Sequence, residues 1–228
     1  MLEAKHVPYV RIDLVPAVSR LWLRATGFSA GTVPALRIDG RRVQGTRAIA
    51  RALDAAWPEP PLLPPEPELR LRVEQIEAWA DGPLQMAARR IVLWSLLRSP
   101  DGVRAALAGA RLQFRLPTRI ASLPPVAWPV LAVDAALNRA RPPAVQAALA
   151  HLPEMLDRTD DWVAHGDLGR ATPTVADFQV AGSVRLLLTV QDLSAMVDGR
   201  PVAALARRLI PALPGCVPAG VLPAEWVR

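Results

Sequence analysis

Gly31 to Asp54 reads GTVPALRIDGRRVQGTRAIARALD, and it forms one compact supersecondary unit. Thr32-Val33-Pro34 is an X-Pro step ahead of a strand, a position that admits a cis peptide. Ala35 to Ile38 alternates as a short strand does, Asp39-Gly40 is a hairpin signal, and Arg41 to Val43 is the returning strand. Gln44-Gly45-Thr46 stops the strand. Thr46 is the expected N-cap of a helix over Arg47 to Ala56, with Ile49, Ala52, Leu53 and Ala56 at helical spacing. The free N–H groups and positive dipole end at Gly45 to Ala48 would suit a carboxylate or phosphate.

Upstream, Leu2-Glu3-Ala4-Lys5 favours a helix end, His6-Val7-Pro8 breaks it, and Tyr9 to Leu14 alternates like a strand. Tyr9 reads as a packing residue at the strand start. Val15 to Ala30 reads as irregular.

Downstream, Pro58 to Pro67 (PEPPLLPPEP) is a proline-rich linker. Glu68 to Arg98 restarts as a long amphipathic helix that Gly82-Pro83 should kink or break. A short helix follows from Ser99 to about Ala110. Arg111 to Pro129 is too proline-spaced for one regular helix. Helices are expected at Val130 to Arg139 and at Pro142 to Ala164, the latter bent or divided by Pro153. Thr174 to Asp177 is a capping-box variant that opens a nearly all-round apolar core helix. Arg200 to Leu213 is the last clear helix, and Trp226 docks a proline-punctuated tail.

The 228 residues are 51% hydrophobic and 21% charged, ordinary values for a globular chain. No apolar run reaches the ~18 residues that span a bilayer, and MLEAKH has no signal-peptide core. The single cysteine, Cys216, rules out an intrachain disulfide, and a cytoplasmic location is the expectation. The net charge of +6 does not point to nucleic acid. Lys5 is the only lysine, the arginines are scattered without a run of five, and GC-rich codons account for the bias.

The strings Val33-Pro34-Ala35-Leu36, Asp39-Gly40, Gly45-Thr46-Arg47-Ala48-Ile49 and Leu53, with Thr174-Val175-Ala176-Asp177 later, resemble the cytosolic glutathione S-transferase family in order and spacing. The resemblance implies an α+β chain: a thioredoxin-like N-terminal domain (1–57), the linker (58–67), and an all-helical C-terminal domain (68–228). It implies that Val33-Pro34 is cis, that Val33 pairs with the cysteinyl part of glutathione, and that the helix start at Thr46 binds the γ-glutamyl carboxylate. The site residues are then Val33, Pro34, Gly45, Thr46 and Arg47, although Gly45 stands where the family has Glu or Gln. The co-substrate implied is glutathione or another low-molecular-weight thiol, with a small-molecule electrophile and room for a homodimer. Neither nucleic acid nor a membrane is expected as a partner.

LEAKHVPY matches the end of the family's first helix. The first strand and most of that helix, with the catalytic Tyr, Ser or Cys, are therefore expected to lie before Met1, and no residue here inherits the catalytic position. The alternative is a non-catalytic binding or interaction module of the same fold. His6, His151 and His165 show no metal spacing and read as turn or surface residues. Asp157, Asp160 and Asp161 read as a solvated helix face.

Overall fold

The structure is a computed structural model. It describes residues 1–14, 16–108, 118–121, 123–211, 213 and 215–227, with only the backbone of 16–18, 118 and 119. Phe114 and Pro117, within the ambiguous proline-spaced stretch, lie outside the described residues.

The N-terminal part is a helix α1 (Pro16–Ala25), a hairpin of β1 (Ala35–Ile38) and β2 (Arg41–Gln44), and a helix α2 (Thr46–Ala56). The hairpin pairs Ala35 with Gln44 and Ile38 with Arg41. Its turn residues Asp39 (φ 46°) and Gly40 (φ 83°) both lie in the left-handed region, which a two-residue hairpin of this hand requires. Pro16 begins α1 where its missing N–H costs nothing, and Leu23 of that helix is buried. The irregular reading of Val15 to Ala30 is thereby corrected.

The expected strand over Tyr9 to Leu14 does not form. Asp13 alone makes a bridge, and the described sheet has two strands. A strand exists only through the ladder of a neighbour, and alternation in the sequence cannot supply one. Tyr9 is not a packing residue either: it is 44% exposed, and its hydroxyl donates to Glu3 at 2.9 Å.

The linker is packed, with Leu62 and Leu63 buried in the same core as Ile49 and Leu53 of α2. Polar contacts hold it there. The Asp54 carboxylate accepts from the N–H groups of Leu62 (2.9 Å) and Leu63 (2.9 Å). Lys5, its side chain fully buried, donates from Nζ to the carbonyls of Trp57 (2.5 Å) and Pro60 (2.8 Å) and pairs with Asp54 at 2.8 Å. The N-terminal turn, the end of α2 and the linker thus close on one ammonium group.

The helical part contains α3 (Pro67–Trp79), α4 (Gln85–Leu96), α5 (Pro100–Ala106), α6 (Thr118–Ala121), α7 (Pro124–Leu137), α8 (Pro142–Ala164), α9 (Val175–Leu187), α10 (Ser194–Val197) and α11 (Pro201–Leu209). Between α3 and α4, Gly82-Pro83 neither ends the helix nor leaves it regular. Ala80–Leu84 forms one π-turn, whose wider ring absorbs the hydrogen bond that proline cannot make. Pro124 and Pro125 start α7, so this helix begins six residues before the expected Val130. Pro153 does not divide α8, which runs 23 residues unbroken against α4 and α11. The last helix stops at Leu209, because Pro211 restricts the residue before it.

The apolar helix α9 is the centre of the core, in contact with α3, α4 and α11. Its start is the expected capping box. Asp177, fully buried, accepts through Oδ2 from the N–H (2.7 Å) and hydroxyl (2.8 Å) of Thr174, and through Oδ1 from the N–H of Gly169 (2.6 Å). The next residue, Val175, donates its N–H to Leu62 O at 2.8 Å, tying the core helix to the linker. Asp157 and Asp160 are more than a solvated face. Arg200 donates to both (2.7 and 2.8 Å), and Asp160 accepts from Val202 N–H (2.9 Å), capping α11. Trp226 docks the tail 5.5 Å from the ring of Trp94.

Candidate functional site

The residues singled out in Gly31 to Asp54 come together at one end of the hairpin. The Val33–Pro34 peptide is cis, and Val33 is 51% exposed. Pro34 O accepts from Gly45 N–H at 2.9 Å, so the strand entry and the start of α2 are joined directly. Gly45 O in turn accepts from Ile49 N–H at 3.0 Å, the first bond of the helix.

Gly45, not Thr46, is the N-cap residue. Its φ of 83° is outside the helix, Thr46 is the first helical residue, and no side chain caps the turn. The expected cap at Thr46 is therefore one residue out. The reason is backbone geometry: β2 can turn into α2 in a single step only through a left-handed residue, and glycine takes that conformation without strain. The N–H groups of Thr46, Arg47 and Ala48 have no acceptor among the described residues, as the geometry of a first helical turn leaves them. A Cβ at Gly45 would meet nothing within 4 Å. Gly45→Ala should thus cost only backbone strain, about 1 kcal/mol, read as a small drop in the urea midpoint.

Arg47 does not face this turn alone. Its Nε lies 3.3 Å from Oε2 of Glu77, a residue of α3 with no exposed surface. Arg51, one turn on, grips the same carboxylate at both oxygens (3.1 and 2.9 Å). The hydrogen bonds that Arg51 donates to Glu77 raise its pKa above the ordinary guanidinium value. Two arginines on one face of α2 thereby fasten the helix to α3. Nothing local in the sequence signals that Glu77 is buried, since EQIEAW is an ordinary helical string.

Gln44 is the second residue whose role the pattern conceals. Its side-chain amide copies a strand partner for the preceding loop. Oε1 accepts from Ala30 N–H (2.7 Å), and Nε2 donates to the carbonyls of Ala30 (2.8 Å) and Thr32 (3.1 Å). This fixes the chain immediately ahead of Val33.

The histidines stand apart from this end. His6 lies in a turn, while His151 and His165 place Nδ1 2.8 and 2.7 Å from carbonyls of their own helix. Among the described residues, no group of His, Cys, Asp and Glu could hold a metal ion, and no helix is long and apolar enough to cross a membrane. Cys216 is exposed.

Residues 1–61 match the family model for the N-terminal domain of glutathione S-transferases. The whole chain is similar in fold to the crystal structure of a glutathione S-transferase from Rhodospirillum rubrum F11. That match has a TM-score of 0.59 and 18% identity, and covers 99% of this chain and 90% of the other. No curated protein matches the sequence. The thioredoxin-like start and the helical remainder thus agree with one known architecture. Residues 1–61 thus resemble the N-terminal domain of that family, and the chain as a whole has the fold of the glutathione S-transferase it matches.

Proposed function

We propose that the chain binds glutathione, or another low-molecular-weight thiol peptide, against Val33-Pro34 and the first turn of α2, and presents its sulfur to a small-molecule electrophile in the cytoplasm. One observation carries the reading. The exposed Val33 and the open first turn of α2 are locked together by the Pro34–Gly45 hydrogen bond. A peptide could pair with the Val33 backbone while its carboxylate meets the N–H groups of Thr46, Arg47 and Ala48 and the Thr46 hydroxyl. The positive end of the helix dipole favours that anion. Gly45 brings no side chain to the ligand, so the backbone and Thr46 supply the contact. Arg47 contributes its charge from beside Glu77.

Thr46→Val tests this reading. The variant keeps shape and loses the hydroxyl, and that hydroxyl caps nothing. Stability should therefore stay within about 0.5 kcal/mol. Glutathione affinity should fall about tenfold by titration calorimetry, as for a lost hydrogen bond to a charged group. Equal affinities for the two proteins, or no binding by the wild type, would remove the proposed site. Conjugation of a standard electrophile separates an enzyme from a non-catalytic binding module that uses the same site. A second copy of the chain is the protein partner this reading allows.

A further inference from the structure

Helix α7 is apolar on every side, yet the fold covers only part of it. Ala127 and Ala135 are buried against the rest of the chain. On the opposite side Val126, Pro129, Val133 and Leu137 are exposed at helical spacing, Leu137 to 73%. The one charged side chain of residues 124–137 is Asp134, which is half-buried and accepts from Asn138 Nδ2 at 3.0 Å. It stands off the exposed side. A helix apolar all round is ordinarily enclosed, so the open side of α7 calls for a cover.

Helix α1 packs against α7 and extends this surface. Its Leu21 is 70% exposed, and Arg20 and Arg24 beside it are exposed too. These two arginines are four apart on one helix, where like charges repel. Beyond Leu137, Arg139 and Arg141 are also exposed. None of the four guanidinium groups pairs with a carboxylate among the described residues.

We propose that this face of α1 and α7 rests on an anionic lipid surface, with Leu21, Val133 and Leu137 entering the headgroup–acyl boundary and Arg20, Arg24, Arg139 and Arg141 meeting lipid phosphates. Two features select a bilayer over a protein. The exposed side of α7 offers no side-chain donor or acceptor, whereas a protein interface makes about one hydrogen bond per 100–200 Å². The exposed charges of this face also have one sign. A second copy turned onto it about a two-fold axis would set arginines against arginines. Acyl chains need no hydrogen bond, and lipid phosphates neutralise the arginines. Such a helix lies on the bilayer without crossing it, and among the described residues no helix could cross. The expectation that a membrane is not a partner is thereby narrowed to spanning. Neither Val33 nor Thr46 takes part, so the proposal does not rest on the thiol-binding reading.

Flotation of the full chain with lipid vesicles tests it. Vesicles of phosphatidylcholine mixed with phosphatidylglycerol should carry the protein, with pure phosphatidylcholine at least about tenfold weaker and added salt weakening both. Leu137→Glu should weaken binding at least about tenfold, because it removes a buried apolar group and adds a repelled charge. Leu137 is exposed in the free chain, so the urea midpoint should not change. Arg24→Gln and Arg141→Gln, which leave the apolar row intact, should each weaken binding about fivefold. Thr46→Val should leave it unchanged. Absence of flotation, equal binding to the two vesicle types, or full binding by Leu137→Glu would overturn the proposal. So would a dimer that Leu137→Glu dissociates while the wild type ignores vesicles, because a second copy would then cover the face.

Discussion

Asp177→Ala should lower the stability of the chain by about 3–5 kcal/mol. The carboxylate has no exposed surface and accepts from Gly169 N–H, Thr174 N–H and the Thr174 hydroxyl. Alanine removes both acceptor oxygens, so all three hydrogen bonds are lost and two backbone N–H groups are left dry, each at about 1–3 kcal/mol. A helix cap alone is worth only about 1 kcal/mol. The excess arises because the loop carrying Gly169 is gathered onto the same side chain. Urea denaturation followed by circular dichroism reads the loss. A change under 1 kcal/mol would show that Asp177 does not organise the start of α9.

Lys5→Met should cost about 3 kcal/mol, a large effect for a residue five positions from the N-terminus. The substitution preserves the length of the side chain and removes its charge. Two part-buried carbonyls, of Trp57 and Pro60, lose their donor, and Asp54 loses its cation. Removing one member of a buried pair typically costs about 3–5 kcal/mol. The lower end applies because Asp54 keeps the Leu62 and Leu63 N–H groups. Asp54→Asn in the Lys5→Met background should cost less than it does in the wild type. An additive double-mutant cycle would show that the two side chains are not coupled.

The parts of this fold that sequence resolves are those with local causes. Asp39-Gly40 demands a two-residue turn, so β1 and β2 could be placed to the residue or nearly so. Pro142 opens α8 where the pattern places it, and Thr174 with Asp177 opens α9. The parts that escape reading depend on distant neighbours. Tyr9 to Leu14 has the alternation of a strand, yet among the described residues it makes a single bridge, at Asp13, and joins no ladder. Lys5 and Glu77 sit in strings that any exposed helix could carry, and each is buried only because another segment brings its counter-charge. The X-Pro step at Val33-Pro34 and the stop at Gly45-Thr46 were legible because proline, glycine and a hydroxyl have fixed local uses. The exchange of cap role between Thr46 and Gly45 was not, since it turns on one backbone angle. Arg47 could be read as facing an anion or solvent; that its Nε lies 3.3 Å from Glu77, thirty residues later, had no local signal.

The most direct test of the thiol-binding account is a crystal structure of the chain grown with glutathione. The account predicts the peptide paired with the Val33 backbone and its γ-glutamyl carboxylate within about 3.2 Å of the first-turn N–H groups of α2. Glutathione bound elsewhere, with Val33 and Thr46 still facing solvent, would contradict it.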